Sequence, residues 1–308
     1  MLRQARDGGW SASIGGKVPP RVMPALVTPF TRDGEPDLEA HLFNLSALWE
    51  RGVRGFLIAG STGEGPYLET GERRLLVRAA RELLEEAFLI CGAASETLRG
   101  AVAQAEEVSA AGADALLALT PTSLARGNSA AVRGFYEELA QASSLPVMLY
   151  SVPSYTAYEL PVELAVELAG QHNMAGMKDS GGQPVRIARL IEEAPKEFLV
   201  YAGASAAVAL SLAAGAYGAI TASANYVPEL VMEVVEADSA PQAAPAQARL
   251  RELAGVVEAH RIPGVKAAAE AAGLRPGHPR RPLQRLKGPQ ATEIHRAMAA
   301  YLARARPR

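Results

Sequence analysis

The 308-residue chain carries 31 basic and 33 acidic residues, a net charge of -2 with histidine neutral, and 49% hydrophobic residues. That balance is ordinary for a globular chain of one large domain or two, and it gives no reason to expect nucleic acid or an anionic membrane as a partner. A lone cysteine, Cys91, excludes an internal disulfide, and no apolar run approaches the roughly 20 residues needed to span a bilayer.

The first twenty residues hold basic groups but no apolar segment of the secretory type, and as a transit peptide, the other reading, the segment is short and carries Asp7. Their Gly and Pro content predicts a disordered arm over 1–20, and the single cysteine suits a cytoplasmic, reducing location. Short apolar runs then alternate with longer amphipathic stretches. A strand at 22–27 precedes a helix at 37–51. Strands at 55–59, 88–92 and 115–119 precede helices at 70–86, 96–111 and 129–142. Further strands are expected at 146–150, 174–178, 198–202 and 218–221, which makes eight. Asp37 and Thr70 are candidate helix caps, and Gly52, Gly112 and Gly215 follow helix ends. Cys91 falls within the third run and is read as strand packing.

Strand then helix, repeated at intervals of about 25–30 residues, is the pattern of a parallel α/β protein, and the count predicts a closed (β/α)8 TIM barrel. The runs are apolar without alternation, as expected of strands covered on both faces. An open doubly wound sheet is the alternative, but the first turn reads TPFTRDGEPD and lacks G-x-G-x-x-G. After the eighth strand, ADSAPQAAPA (237–246) reads as a linker or helix break, and helices follow to about residue 303. The expected organisation is a barrel over 21–236 with a C-terminal helical extension over 237–308.

In such a barrel the chemistry sits at the C-terminal ends of the strands. Lys178 stands at the sixth. A lysine held in an apolar place favours its neutral form, which can add to a ketone as an imine; the alternatives are an ion pair with Asp179 or a snorkelling surface side chain. Tyr150 ends the neighbouring strand and is either a proton shuttle or a core aromatic. The GSTGEG turn after the second strand, with Ser61 and Thr62, offers hydroxyls and backbone N–H groups to a carboxylate. It lacks the G-K-[ST] of a nucleotide-binding loop, and a plain turn is its other reading. The five histidines, His41, His172, His260, His278 and His295, lack metal-site spacing, so neither a metal nor another cofactor is expected.

In order along the chain, TPF (28–30), GSTGEGPYLE (60–69), AGADALLALTP (111–121), LYSVPSYT (149–156), GMKDSGG (176–182) and IPGVKAA (262–268) resemble the dihydrodipicolinate synthase / N-acetylneuraminate lyase superfamily. The resemblance implies that Lys178 forms a Schiff base with pyruvate or another 2-oxo acid, that Tyr150 relays protons with Thr62, and that Ser61 and Thr62 hold the pyruvyl carboxylate. It places Gly203 and Ile220 where main-chain groups line the pocket. It also implies an aldehyde as the other substrate and a homotetramer built from dimers. Two departures stand out. Tyr155 occupies the place of an arginine that receives the second substrate in dihydrodipicolinate synthases, and Thr122-Ser123-Leu124 replaces paired tyrosines, one of which joins the relay across a dimer interface. The motifs YSVP and GMKDSGG look like the 4-hydroxy-2-oxoglutarate aldolase branch, where Ser180 would meet a distal carboxylate; Arg126 is a second candidate for that group. Dihydrodipicolinate synthase, a sugar-acid dehydratase and a non-catalytic 2-oxo-acid-binding protein are the alternatives.

Overall fold

The computed structural model describes residues 12–305. Eight strands form one parallel sheet: β1 (Val22–Pro24), β2 (Gly55–Ile58), β3 (Phe88–Ala93), β4 (Ala115–Leu119), β5 (Val147–Ser151), β6 (Met174–Asp179), β7 (Leu199–Ala202) and β8 (Gly218–Thr221), in the order β1-β8-β7-β6-β5-β4-β3-β2. The end strands meet as well. Ala25 bridges Leu57, and the Leu26 N–H donates to the Leu57 carbonyl at 2.9 Å, so the sheet closes into the expected (β/α)8 barrel. β1 is shorter than the apolar run that announced it because the chain beyond Pro24 turns to other partners: Val27 donates to Asn225 Oδ1 at 3.0 Å, and Asn225 Nδ2 donates to the Ala25 carbonyl at 2.8 Å.

Around the barrel lie α1 (Leu38–Glu50), α2 (Glu72–Leu83), α3 (Leu98–Ala110), α4 (Ser129–Ala142), the single turn α5 (Pro153–Thr156), α6 (Val162–Ala169), α7 (Pro184–Glu193), α8 (Val208–Ala213) and α9 (Pro228–Glu236). Beyond them come α10 (Ala240–Glu258), α11 (Arg261–Ala271) and α12 (Gly288–Ala305). Side-chain caps start several of these: Asp37 accepts from Ala40 N–H at 3.0 Å, Thr97 from Gly100 N–H and Asn128 from Ala131 N–H. Thr70 is not such a cap. α2 begins behind Gly71, whose φ of +88° a β-branched residue avoids, and the Glu72 carboxylate takes the Glu69 N–H at 2.7 Å.

Two further expectations differ. The 237–246 segment, expected as a linker or break, enters α10. Pro241 sits in the first turn, where a missing N–H costs nothing, and the alanines that follow favour helix strongly enough to carry Pro245. Within the expected disordered arm, Ile14 and Pro19 are buried and Pro20 is half-buried, while residues 15–18 are exposed. Ile14 is buried with the barrel-interior side chains, and the Tyr217 and Tyr201 hydroxyls donate to the carbonyls of Pro19 and Pro20 at 2.7 and 3.1 Å. Gly15 lies against Asp114 and Pro146, just before β4 and β5, so this segment plugs the N-terminal end of the barrel. Residues 1–11 of that arm lie outside the described residues.

The core has two layers. Met23, Leu57, Ile90, Leu117, Met148 and Tyr201 are among the side chains filling the barrel interior, while a larger cluster lies between the strands and the helices. Both faces of each strand are therefore covered, which is why the runs show no polar alternation. Cys91 is buried in β3, and burial pushes its thiol up to about 12, so it packs rather than reacts.

Candidate active site

Lys178 is the next-to-last residue of β6 and only 3% exposed. The ladder sets it beside Tyr150 of β5, and its Nζ lies 4.8 Å from the centre of that ring. Neither alternative to a chemical role fits. The side chain does not snorkel. Asp179 is occupied elsewhere: Arg186 Nε donates to its Oδ2 at 2.7 Å within the protein interior, and the Gly181 N–H bonds its other oxygen at 3.0 Å. Among the described residues, no carboxylate forms a salt bridge with Lys178.

Space for the Lys178 stem comes from Gly203. A Cβ there would sit 3.0 Å from Lys178 Cε, 3.0 Å from the Asp179 carbonyl oxygen and 2.1 Å from Ser180 Oγ. Gly203 and Ser180 thus share the wall around the lysine. Ile220 is buried in β8 among the barrel-interior residues.

Ser61 and Thr62 are buried in the turn after β2, four strands from β6 and so across the barrel mouth from Lys178. Neither hydroxyl hydrogen-bonds another described side chain or backbone group, which leaves both for a ligand. Their turn is held rigidly from outside. Glu64, at φ +58°, pairs with Lys266 at 2.6 Å, both side chains sealed from water. Lys266 Nζ also donates to the carbonyls of Thr28 and His278 at 2.8 and 2.6 Å, and burial brings it down to about 8. The Arg280 N–H donates to Glu64 Oε2 at 2.7 Å, and Thr28 Oγ1 donates to the Gly63 carbonyl at 2.6 Å. The TPF, GSTGEG and IPGVKAA motifs are therefore parts of one buried junction.

The second departure from the family pattern is supported on the β4 side by a different arrangement. Thr120 Oγ1 bonds Tyr136 Oη at 2.8 Å and donates to the Tyr150 carbonyl at 3.2 Å, which fixes the strand that carries Tyr150. Beyond Thr120 the loop turns outward, with Leu124 98% exposed. Arg126 is also exposed, and no hydrogen bond or ion pair ties it to another described residue. The structure does not bring Arg126 to the other candidates.

Tyr155 does belong to the mouth. Its ring lies 5.4 Å from the Arg261 guanidinium, and burial, then the neighbouring Tyr150, push its phenol up to about 12. Sequence reasoning missed its neighbours. Glu258, at the end of α10, interacts electrostatically with both Lys178 and Tyr155, and burial raises its carboxyl above the usual range. Ser205 Oγ lies 2.6 Å and Tyr226 Oη 3.3 Å from Glu258 Oε1. No strand-end rule points to a glutamate on a late helix; its only sequence signal is a charge among Val257, Ala259 and other small or apolar residues.

An amine kept from water, with no carboxylate at salt-bridge distance among the described residues, is built to add to a carbonyl. On a (β/α)8 barrel, at a strand's C-terminal end, that defines a class I lyase, an enzyme of the Schiff-base-forming type. The chain belongs to the dihydrodipicolinate synthetase family, whose sequence model matches residues 19–301. It is 35% identical over 274 residues to a 4-hydroxy-tetrahydrodipicolinate synthase of Methanopyrus kandleri, covering 85% of this chain and 90% of that protein. A Methanosarcina mazei enzyme of the same name is 32% identical over 267 residues, covering 85% and 91%. Among solved structures, a putative dihydrodipicolinate synthase of Thermus thermophilus superposes with a TM-score of 0.84 at 33% identity, covering 92% of this chain and 98% of that one.

Proposed function

We propose that Lys178 attacks the C2 carbonyl of pyruvate, or of a 2-oxo acid that contains the pyruvyl unit, and carries it as an imine. The observation behind this is the amine itself: buried, without an ion-pair partner, and set against the Tyr150 ring 4.8 Å away. Ser61 and Thr62, with the N–H groups of their turn, receive the carboxylate. Gly203 and Ile220 line the pocket with main-chain groups. Tyr150, with Thr62, moves protons while the carbinolamine loses water. The protonated imine then draws electrons from the breaking C3–C4 bond, leaving an enamine that returns pyruvate on hydrolysis.

The favoured overall reaction is aldol cleavage of a 4-hydroxy-2-oxo acid such as 4-hydroxy-2-oxoglutarate, giving pyruvate and an aldehyde. Support comes from Tyr155, which stands where a synthase would present arginine, and from the YSVP and GMKDSGG motifs, which look like the aldolase branch, with Ser180 beside Gly203 in the wall around the lysine. A second reading has its own support. The relatives named above are called 4-hydroxy-tetrahydrodipicolinate synthase, and that reaction joins the same enamine to an amino-acid aldehyde. Two assays separate them: pyruvate release from 4-hydroxy-2-oxoglutarate, and pyruvate consumption with aspartate semialdehyde. Turnover of the first at least tenfold above the second upholds the aldolase reading; the reverse replaces it. Borohydride reduction with pyruvate tests the shared step. A mass increase confined to Lys178 is expected, and active protein without that adduct refutes the imine. The quaternary proposal is a homotetramer of two dimers in the cytoplasm, checked by light scattering.

A further inference from the structure

We propose that Arg186 is a positioning residue for the Lys178 nucleophile: through its buried ion pair with Asp179 it fixes the end of β6 and cancels the charge of the carboxylate next to the amine. The proposal rests on the Lys178 imine described above and adds to it the group that holds and screens the lysine.

Asp179 follows Lys178 directly and ends β6, so the two side chains leave the strand on opposite faces. Lys178 lies against Tyr150, whose side chain belongs to the barrel interior. Asp179 faces the helices, where Arg186 of α7 meets it. Both side chains are sealed from water. Arg186 Nε donates to Asp179 Oδ2 at 2.7 Å, and its second nitrogen, Nη2, donates to the Leu160 carbonyl. The other Asp179 oxygen accepts the Gly181 N–H at 3.0 Å. Packing alone gives no reason for this pair, since apolar side chains of the same volume would hold α7 to β6 about as well.

What the pair supplies first is geometry. The Ser180 N–H donates to the Ser151 carbonyl at 2.9 Å, which ties the end of β6 to the residue after Tyr150. Ser151 Oγ accepts the Leu160 N–H at 3.2 Å, and the Leu160 carbonyl is the second acceptor of Arg186. The contacts therefore close a ring: Arg186 to Asp179, along the chain to Ser180, across to Ser151, on to Leu160 and back to Arg186. One further bond leads from the ring to the amine. The Asp179 carbonyl accepts the Gly203 N–H at 2.6 Å, and a Cβ on Gly203 would lie 3.0 Å from Lys178 Cε. Arg186 thus holds the strand end that carries Lys178 and the glycine that makes room for it.

The second contribution is to charge. Only the neutral amine adds to a ketone. An uncompensated carboxylate one residue away in a buried place would favour the ammonium form instead. Bonded to Arg186, Asp179 presents little net charge. The other charged and titratable groups facing Lys178 are Tyr150 of β5, Tyr201 of β7, its neighbour in the ladder, and Glu258 of α10. On the Asp179 side stands Glu159, between α5 and α6, with Oε1 2.6 Å from where a Cβ of Gly181 would lie. None of these is altered by removing the Asp179–Arg186 charges.

The test follows cyanoborohydride trapping of pyruvate on Lys178 from pH 5 to 10 in wild type, Arg186→Met, Asp179→Asn and the double variant. Arg186→Met strands the carboxylate, so the pH of half-maximal trapping should rise by about one unit. Asp179→Asn strands the guanidinium, so the midpoint should fall by about as much. The double variant carries neither charge and should return close to the wild-type midpoint. Its maximal rate should stay about tenfold or more below wild type, because the ring that fixes β6 is still open. Arg186→Lys keeps the charge but loses the fork; it should keep the midpoint and lose rate. These last two strand no charge, so they carry the test if the single variants do not fold: a wild-type maximal rate in both overturns the proposal. A pair that only braced the fold would lower urea stability in every variant and leave the midpoint in place. Unshifted midpoints in folded Arg186→Met and Asp179→Asn would therefore overturn the proposal too. Failure of wild type to trap pyruvate would overturn the imine reading itself, so the two failures are distinct.

Discussion

Gly203→Ala adds one methyl group to the wall around Lys178, and the structure says what that methyl must displace. The new Cβ would lie 2.1 Å from Ser180 Oγ, which can rotate away. It would also lie 3.0 Å from the Asp179 carbonyl and from Lys178 Cε, each about 0.4 Å inside ordinary contact at 3.4 Å. The carbonyl cannot yield, because it accepts the Gly203 N–H at 2.6 Å in the β6–β7 junction. The lysine stem is the part that moves, and its amine moves further than Cε does. A displacement approaching 1 Å costs on the order of a hundredfold in rate, and crowding of this kind destabilises by about 1–3 kcal/mol. We therefore expect kcat/KM to fall roughly ten- to a hundredfold while the protein stays folded, with the trapping rate at Lys178 falling in parallel. Urea unfolding separates the two effects. A Gly203→Ala enzyme that traps pyruvate at the wild-type rate, with ordinary stability, would refute the claim that this glycine makes room for the nucleophile.

Other perturbations give equally definite outcomes. Tyr150→Phe keeps the ring beneath Lys178 and should leave pyruvate saturation within a few-fold while lowering kcat by about 10²–10⁴, as loss of a proton-transfer group does. His41 is buried and neutral, its pKa lowered to about 4 by burial against one hydrogen bond to the Leu76 carbonyl. The unfolded chain therefore binds a proton near pH 6.5 that the folded chain refuses until about pH 4, so stability falls as pH drops through that window, by about 2 kcal/mol between pH 7 and 5. Denaturant unfolding at the two pH values should show the loss, and His41→Phe should remove this share of it; an unchanged slope in the variant would place the effect elsewhere. Lys266→Met strands Glu64 without its ammonium and should cost about 3–5 kcal/mol, with a raised KM for pyruvate; adding Glu64→Gln should recover much of the stability.

The parts of the site that lie at strand ends were legible because sequence adjacency and spatial adjacency coincide there. Lys178, Tyr150, Ser61 and Thr62 each follow an apolar run, and a closed barrel brings the ends of all such runs to one mouth. Arg126 follows the same rule and still stays outside, because the rule says nothing about whether a loop folds inward. Glu258 obeys no such rule. It comes within electrostatic reach of Lys178 only through the packing of α10, which no spacing along the chain announces. Thr70 shows the same limit at short range: a good capping residue lost to a glycine one position later, since the backbone needed a left-handed turn that only the glycine adopts without strain.

The Glu64–Lys266 pair contributes little net stability by its own attraction. Taking both charges from water costs about as much as their attraction returns, and an apolar pair of the same volume is often no less stable. What an apolar pair could not do is bind three polar groups at once. The ammonium satisfies the Thr28 and His278 carbonyls, and the carboxylate accepts the Arg280 N–H. Those contacts join the end of β1, the turn after β2 and the segment following α11, three places far apart in sequence. They hold Glu64 at φ +58° and with it the backbone of the turn that carries Ser61 and Thr62. α11 therefore reaches across the chain through Lys266 to fix the turn after β2 that carries Ser61 and Thr62.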